Sequence, residues 1–318
     1  MSKNYELNVN IHVYIHDDHA DESTQSANHQ LIRQDVMKAI KEALASAERT
    51  KSYKTSANYA TALRSLLNFL GSEEKLQTLS PEVIEAYQHW LRERGLCLNT
   101  ISCYMRSLRS LLKSIIPVSN QFFSDVFTGN TKTEKRAITD ADILALLRLE
   151  LPHGTPLALA RDLFLFSFYA QGMPFVDMAH LTKSQIANDR ITYYRRKTGQ
   201  RINIGLEPCM KDIIQRYQRP SDDHVFPLLT HEGDYNLQLN RYNRLLKQLA
   251  QMAKIEKNLT SYVARHSWAS IAYKSSVDLA VISKALGHTN PQTTMIYVKE
   301  LNDERLEQAN HELLKNFQ

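Results

Sequence analysis

The chain has 318 residues, of which 43% are hydrophobic and 23% are charged, and its formal net charge is +5. This length suggests about two domains of ordinary size. No apolar run reaches the roughly 20 residues that a membrane span needs, and the N-terminus lacks the apolar core of a signal peptide. We therefore expect a cytosolic protein without a membrane partner. The mild positive charge favours a polyanionic binding partner.

The cysteine, glycine and proline contents bear on the fold class. Cys97, Cys103 and Cys209 are odd in number and lack CxxC spacing. We expect them to be reduced packing residues, neither a disulfide framework nor a metal site. The chain has only 9 Gly and 9 Pro, and long stretches have helical periodicity. These features predict a mainly α fold.

The first 30 residues form a region of their own. Residues 6–15, ELNVNIHVYI, alternate between apolar and polar side chains, which is a strand pattern. The residues that follow are polar and acidic, as in a linker or a disordered segment. We therefore interpret residues 1–30 as an N-terminal strand and a polar linker, without a functional assignment.

Residues 31–127 have helical periodicity and are predicted to form a first, helical domain. One helix is predicted to begin near Ser56. Its apolar face consists of Leu66, Leu67 and Leu70. The next helix, LSPEVIEAYQHWLRERG, has signals at both ends, because Ser80 can cap it, Pro81 suits its first turn and Gly95 can end it.

The last helix of this domain, LNTISCYMRSLRSLLKSII, has two distinct faces. Its apolar stripe consists of Ile101, Tyr104, Met105, Leu108, Leu111, Leu112 and Ile115. Arg106, Arg109 and Lys113 lie on a different face. Such a basic stripe is usually a solvated helix surface, but together with Lys54 and Arg64 it is also a candidate for contacts with phosphates.

A second domain is predicted for residues 139–318, after a polar linker at residues 128–138. Thr139 and Asp142 resemble a capping box at its start. The segment LALARDLFLFSFYAQG is apolar nearly all round and is predicted to be a buried helix. The segment DRITYYRRKTGQRINIGL is typical of two short strands around a turn. Helices are predicted to resume at about Leu237.

Helix ends in this domain place polar residues that could bind an anion. Ser261 is a plausible N-cap, which puts Arg265 and His266 in about the first turn of a helix. Backbone N–H groups and the positive end of the helix dipole favour an anion there. Gly287 can end another helix in the left-handed conformation, which leaves His288 in the following turn.

The same turn leads to a tyrosine. Asn290 and Pro291 can start a short helix that carries Tyr297, and Lys197 lies at the tip of the hairpin. Taken singly, such residues are more often packing, capping or turn residues. Taken together, an arginine, a histidine, a lysine and a tyrosine can perform phosphoryl transfer without a metal. They provide donors to the equatorial oxygens, an acid for the leaving oxygen and a hydroxyl nucleophile.

Three segments, YVARHSWAS, LGHTNPQTTMIY and RRKTGQ, resemble the signature boxes of the tyrosine recombinases, also called phage-type integrases. The resemblance covers about residues 31–318. It implies that residues 31–127 are a helical core-binding domain. It also implies that residues 139–318 are a catalytic domain, in which a small β-hairpin or sheet accompanies the helices and residues 303–318 dock on a neighbouring protomer.

The resemblance also implies roles for single residues. Tyr297 is the expected nucleophile, Arg265 and His288 are expected to stabilise charge on the phosphoryl oxygens, and Lys197 is the expected hairpin lysine that protonates the leaving oxygen. Asp177 matches an acidic position that supports the arginines. His266, next to Arg265, is a supporting residue of uncertain role.

The sequence departs from the family pattern at two positions. Pro174 in GMPFVDM replaces the first catalytic arginine, and Tyr262 replaces the histidine of H-x-x-R. Variants of this kind resemble recombinases from mobile elements of gut-type bacteria. An active enzyme needs a substitute donor, and Arg161, in a helix with few charges, is one candidate, although a structural ion pair explains it at least as well. The other candidates are the hairpin residues Arg195, Arg196 and Arg201.

The resemblance implies a site-specific recombinase that cuts and rejoins double-stranded DNA through a 3′-phosphotyrosyl intermediate. The outcome could be integration, excision or inversion. The implied enzyme needs no metal or other cofactor, acts in the cytoplasm with the nucleoid, and works as a homotetramer on two DNA sites, with accessory DNA-bending proteins as candidate partners. Three alternatives stay open: a catalytically weak DNA-binding accessory protein of the same fold, a type IB topoisomerase-like enzyme, and a helical scaffold that binds no DNA.

Overall fold

The computed structural model describes residues 38–113, 115, 121–131, 136–226, 235–295, 311 and 314–315. The chain divides into two compact units, residues up to Thr133 and residues from Glu134. This division falls inside the polar segment 128–138. The predicted N-terminal strand, Tyr297 and nearly all of the predicted docking helix lie outside the described residues.

The described part of the first unit is helical. Helical residues 38–50 (α1) are followed by α2 (Tyr53–Leu70), a 3₁₀ turn (Glu73–Thr78), α3 (Pro81–Glu93), α4 (Leu98–Leu112) and another 3₁₀ turn (Gln121–Phe123). As predicted, the Ser80 side chain caps α3 by accepting from the Val83 N–H, and Pro81 is the first helical residue. Gly95, in the left-handed conformation at φ 75°, follows the end of this helix.

The second helix of this unit begins earlier than the sequence indicated. Ser52, not a residue near Ser56, caps α2, because its side chain accepts from the Thr55 N–H. The Ser56 hydroxyl donates instead to the Tyr53 carbonyl, 2.9 Å away. Helices α2 and α4 pack on each other, and the hydroxyls of Tyr59 and Ser110 are hydrogen-bonded at 2.6 Å across this contact. The apolar stripe of α4 is buried at Ile101, Met105, Leu108, Leu111 and Leu112.

The second unit combines helices with a small sheet. It contains α5 (Asp140–Leu147), α6 (Pro156–Tyr169), α7 (Phe175–Ala179), a 3₁₀ turn (Lys183–Gln185), β1 (Ile186–Ala187), β2 (Arg190–Tyr194), β3 (Arg201–Gly205), α8 (Pro208–Tyr217), α9 (Tyr235–Met252), α10 (Val263–Lys274), α11 (Leu279–Leu286) and a 3₁₀ turn (Pro291–Thr293). Thr139 and Asp142 form the predicted capping box. The predicted mainly α fold with a small sheet is therefore confirmed.

The apolar segment around α6 is the centre of this unit. Helix α6 packs against α5, α8, α9 and α10, so its side chains are covered on nearly every side. This explains why its sequence has no polar face, as expected for a buried helix. At its C-terminal end the chain turns through Gly172 and Pro174 into α7.

The sheet is antiparallel, with strand order β1-β2-β3. Strands β2 and β3 pair from Arg190 with Gly205 to Tyr194 with Arg201, which confirms the predicted hairpin. The short strand β1 escaped prediction, because two residues are too few for an alternating pattern. Ile191 and Tyr193 of β2 point into the core.

The cysteines differ from the sequence-based expectation. Cys97 and Cys209 are exposed, so the expectation that all three cysteines are packing residues is wrong for these two. Within the described ranges, no helix is long and apolar enough to cross a membrane.

Candidate active site

Arg265 lies at the centre of the candidate site and is only 2% exposed. It is the third residue of α10. Its Nη1 donates to the Gly172 carbonyl at 3.1 Å, and its Nη2 donates to the Leu286 carbonyl. Its guanidinium is therefore held between the end of the α6 segment and the end of α11.

The chain approaches Arg265 closely at Gly172. A Cβ atom at this position would lie 2.7 Å from Arg265 Cα, and Gly172 has φ +74°. Both facts favour glycine, because real Cβ atoms do not approach backbone atoms so closely and L residues rarely adopt this φ. The close approach fixes the backbone of Arg265 against the turn after α6.

His288 contacts Arg265 directly. Gly287 ends α11 at φ 62°, as predicted, and His288 follows in the turn. The Arg265 Nη2 lies 3.2 Å from His288 Nε2, and His288 Nδ1 lies 2.8 Å from the Thr294 hydroxyl oxygen. Because a guanidinium can only donate, Nε2 is the acceptor in this arrangement and Nδ1 carries the proton.

The same surroundings keep the imidazole neutral. Burial lowers the pKa of His288 to about 4, and the positive charges of Arg265, Arg195 and Lys197 add to this effect. A bound phosphate would reverse part of this shift, because a nearby negative charge favours the protonated form.

A second buried arginine joins the site from the sheet. Arg195 directly follows β2 and is 5% exposed. Its Nε donates to Asp177 Oδ2 at 3.3 Å, and its Nη1 donates to the Leu286 carbonyl, the oxygen that also accepts from Arg265. The backbone N–H of Arg196 donates to Asp177 Oδ1 at 2.9 Å. Asp177 therefore anchors the hairpin, and its arginine partner is Arg195.

Lys197 lies in the exposed turn between β2 and β3. The neighbouring Thr198 hydroxyl donates to the Gly287 carbonyl at 3.2 Å. This contact docks the hairpin tip on the residue that precedes His288. Lys197 is thus brought to the rim of the Arg265–His288 pair, and its charge contributes to the lowered pKa of His288.

The start of α10 differs from the prediction. Tyr262, not Ser261, occupies the N-cap position, and no side chain caps the helix there. The expectation of a Ser261 cap is therefore wrong, because Ser261 lies one position further back, where its N–H donates to the Asn243 side chain. Tyr262 is 43% exposed, and its ring meets the His266 ring edge-on at 4.9 Å. Burial, followed by the charges of Arg136 and Arg265, lowers the pKa of His266 to about 4.

Arg161 lies in a different cluster. Its Nε donates to Asp162 at 2.9 Å and its Nη1 donates to the Leu149 carbonyl at 2.6 Å. Asp162 also accepts from Arg216 and from the Tyr217 hydroxyl. This is the structural ion pair that was the alternative explanation of Arg161, and no hydrogen bond or ion pair described for this residue connects it with Arg265 or His288.

Sequence reasoning named Arg195 only as one of several hairpin candidates. Its position in the strand pattern could have singled it out. Ile191, Tyr193 and Arg195 alternate along one face, and the first two are large apolar residues, so Arg195 continues a buried face. Thr294, which orients His288, has no comparable signal in the sequence.

The basic residues proposed to contact DNA are Lys54 and Arg64 on α2, Arg106 and Arg109 on α4, and Lys113 at the C-cap of α4. Lys54, Arg64, Arg106 and Lys113 are exposed, and Arg109 is half-buried. The Arg106 Nε donates to the Ser102 carbonyl of its own helix at 3.3 Å. Among the described residues, none of the five forms a salt bridge with an acidic side chain. Their charges are therefore available to an external anion.

The fold and the Arg265–His288 pair agree with the class expected from the motifs, that of the tyrosine recombinases. The model of the phage integrase family matches residues 137–304, and the model of the phage integrase SAM-like domain matches residues 35–115. The chain therefore belongs to the phage integrase family.

Known relatives and solved structures agree with this assignment. The chain is 28% identical over 269 residues to tyrosine recombinase XerD of Halalkalibacterium halodurans, with 79% of this chain and 88% of the relative covered. It is 23% identical over 281 residues to tyrosine recombinase XerD of Vibrio cholerae, with 83% and 91% covered.

Two solved structures share the fold. A lambda integrase fragment in a dimer bound to a COC′ core site matches with a TM-score of 0.64 at 13% identity, with 81% of this chain and 92% of that chain covered. The XerH site-specific recombinase bound to its difH substrate matches with a TM-score of 0.60 at 18% identity, with 82% and 80% covered.

Proposed function

We propose that this chain is a site-specific DNA recombinase that cuts and rejoins double-stranded DNA through a 3′-phosphotyrosyl intermediate. The observation that carries the proposal is the partly buried contact between Arg265 and His288, 3.2 Å apart, with the Lys197 hairpin docked beside it. A buried guanidinium that is fixed in advance is the kind of donor that a developing phosphoryl charge requires. The relatives named above are tyrosine recombinases, and two neighbouring structures are bound to DNA.

The reaction can be assigned to residues of this chain. The Tyr297 hydroxyl releases its proton to solvent as its oxygen attacks the scissile phosphorus, the bond to the 5′ oxygen breaks, and Lys197 gives that oxygen a proton. Arg265 stabilises the charge on the non-bridging oxygens, and His288 becomes a second donor when the nearby phosphate favours its protonated form. The 5′ hydroxyl of another strand then attacks the phosphotyrosine and reverses the step. Because the diester energy is kept in the covalent intermediate, the reaction needs no external energy source.

A suicide substrate that loses its 5′ fragment after cleavage tests the nucleophile. Tyr297→Phe should bind DNA as the wild type does and form no covalent adduct, because the attacking hydroxyl is gone. Tyr194→Phe is the matched control, since Tyr194 is 65% exposed on β2, and it should form the adduct at the wild-type rate. Adducts are measured on denaturing gels. An adduct from Tyr297→Phe would refute the assignment.

A second candidate function is a catalytically weak DNA-binding accessory protein of the same fold. Pro174 favours it, because a proline has no side-chain donor to replace the expected arginine. The suicide-substrate assay separates the two functions. If the chain is only an accessory protein, the wild-type protein will bind DNA and form no covalent adduct.

The basic residues of α2 and α4 are proposed to hold the DNA backbone. Each lost phosphate contact should lower the magnitude of the slope of log K against log salt by about 0.9. The triple variant of Arg106, Arg109 and Lys113 to Ala should therefore reduce this magnitude by about 3, while Arg92→Ala on α3 should leave it unchanged. Binding measured at several salt concentrations decides this point, and an unchanged slope in the triple variant would mean a solvated surface.

Assembly and location extend the proposal. Four protomers are proposed to hold two DNA sites in the cytoplasm, where the nucleoid lies, and residues 303–318 are proposed to dock on a neighbouring protomer. Accessory DNA-bending proteins would act through the DNA. Among the neighbouring structures, the lambda integrase fragment is a dimer on its core site, which supports assembly on DNA.

A further inference from the structure

The first box of this chain has a carboxylate without the arginine expected beside it. Pro174 stands at the arginine position and is the N-cap residue of α7. Asp177, three residues later, is nevertheless buried, at 3% exposure. A buried carboxylate needs a cation or several hydrogen bonds. The residue that meets this need is Arg195, from the other side of the site.

The Arg195 guanidinium is fixed by hydrogen bonds to two of its three nitrogens. Asp177 accepts from its Nε and the Leu286 carbonyl accepts from its Nη1. Its Nη2 has no hydrogen-bond partner within the described part of the chain. Two anchored nitrogens fix the plane of the guanidinium, and the third remains able to donate to a ligand.

The two buried arginines point at the same place. Arg195 and Arg265 both donate to the Leu286 carbonyl. Two donors to one oxygen lie within about 6 Å of each other, a separation that one phosphate can bridge. The chain leaves room for this arrangement at Gly287, where a Cβ atom would lie 2.7 Å from Arg195 Cδ. His288, the next residue, contacts Arg265.

Charge also favours an anion at this site. Arg195 and Arg265 are both buried, and His288 is kept neutral by the lowered pKa. A phosphate that lies between two guanidiniums accepts charge-assisted hydrogen bonds from both. The other candidates lack this arrangement, because Arg196 and Arg201 are exposed and Arg161 belongs to the Asp162 cluster.

We propose that Arg195 is a catalytic residue that supplies, from the end of β2, the phosphate-binding guanidinium that Pro174 cannot supply, and that Asp177 positions it. The inference depends on the proposed recombinase function, in which a phosphate diester lies beside Arg265 and His288. It changes the expected active site in one respect: the arginine comes from the hairpin that also carries Lys197.

The test is single-turnover cleavage of a suicide substrate by Arg195→Ala, with Arg190→Ala on the same strand as the matched control. Loss of one donor to a developing charge reduces the rate about 100- to 1000-fold. We expect such a loss for Arg195→Ala at unchanged DNA affinity, and the wild-type rate for Arg190→Ala. Pro174→Arg in the Arg195→Ala background should restore part of the rate.

A second substrate separates catalysis from folding. A methylphosphonate at the scissile position is a neutral diester, so a guanidinium that neutralises its charge is no longer needed. The Arg195→Ala defect should shrink to less than about tenfold on this substrate. A residue that only holds the hairpin together would show the same defect on both. Arg195→Lys keeps a charge opposite Asp177 and should be slow on the ordinary substrate while remaining folded.

Three outcomes would overturn the inference. One is wild-type cleavage of the ordinary substrate by Arg195→Ala, and another is an equal defect on the charged and neutral substrates. Both leave the recombinase function intact, because the wild type still forms its adduct. The third is the absence of any adduct with the wild-type protein, which would overturn the proposed function and this inference with it.

Discussion

Two buried aspartates of the second unit, Asp162 and Asp177, each bond to arginine side chains. The exposure of these arginines differs between the two clusters. Asp162 accepts from Arg161, Arg216 and the Tyr217 hydroxyl. The Arg216 side chain is 41% exposed and that of Arg161 is 15% exposed. Burial and the bond to Asp162 raise the pKa of Tyr217 to about 12, so its hydroxyl stays a donor. The extra positive charge of this cluster can therefore reach water.

The Asp177 cluster, in which Arg195 bonds to Asp177 and shares the Leu286 carbonyl with Arg265, buries its cationic side chains more deeply. Arg195 and Arg265 are 5% and 2% exposed. A cluster that serves only stability would be expected to balance or solvate its charge, as the Asp162 cluster does. We propose that this difference in burial distinguishes the arginine pair that binds an anion from the pair that only stabilises the fold.

The largest effect should come from removing the two carboxylates. Asp177→Ala leaves the buried Arg195 guanidinium without the carboxylate that it bonds, which should lower the free energy of unfolding by about 3–5 kcal/mol. Asp162→Ala leaves guanidiniums that can turn to water, and its cost should be about 1–3 kcal/mol. Urea denaturation measures both. Cleavage per folded molecule should fall only for Asp177→Ala.

The comparison fails if the two variants lose equal stability, or if Asp162→Ala also loses cleavage. In the first case the deeper burial of the arginines around Asp177 would not affect stability. In the second, the Asp162 cluster would be coupled to the site. Asn substitutions at both positions keep the shape of the side chain and serve as controls for packing.

The next largest effect concerns two glycines with the same backbone angle. Gly172 and Gly154 both have φ +74°, but a Cβ at Gly172 would lie 2.7 Å from Arg265 Cα, whereas at Gly154 nothing lies within 4 Å. Alanine at either position should cost about 1–2 kcal/mol of stability through the left-handed backbone. Only Gly172→Ala should displace Arg265, and a displacement of about 1 Å costs about 100-fold in rate.

Single-turnover cleavage and thermal unfolding of the two glycine variants decide between the outcomes. Gly154→Ala reports the backbone strain alone and is the control for Gly172→Ala. If both variants cleave at the wild-type rate, the close approach of Gly172 does not position Arg265.

Local signals explain which parts of the fold were predictable. The Thr139–Asp142 capping box, the Ser80 cap and the left-handed Gly287 each depend on a few consecutive residues, and all three are present in the structure. The buried α6 was predictable because its sequence has no polar face. The start of α10 was missed because Ser261 is a good capping residue by type, whereas the tertiary contact with Asn243 uses its N–H.

The site was predictable only as far as its motifs extend. Arg265 and His288 belong to matched segments, and the structure brings them together. The shared carbonyl of Leu286 and the bond between Asp177 and Arg195 join residues far apart in sequence. No periodicity or spacing predicts such a contact, because it forms where Arg195, after β2, meets Asp177 of α7 and the last residue of α11.

The smallest effect expected is a dependence of stability on pH. The Asp177 cluster touches His288, and His266 lies next to Arg265, whereas no histidine bonds to Asp162 among the described residues. Burial lowers the pKa of both histidines from 6.5 to about 4. Between these values the unfolded chain binds protons that the folded chain does not, so the free energy of unfolding should fall as pH is lowered from about 6.5 to about 4. The loss should be about 1–2 kcal/mol per histidine, allowing for partial exposure to water.

Replacing both histidines by Gln should flatten the profile of unfolding free energy against pH, whereas His89→Gln, on the exposed surface of α3, should leave it unchanged. A profile that stays equally steep in the double variant would show that other groups cause it. Phosphate-bearing DNA should weaken the dependence through His288 alone, because a nearby anion raises the pKa of this imidazole.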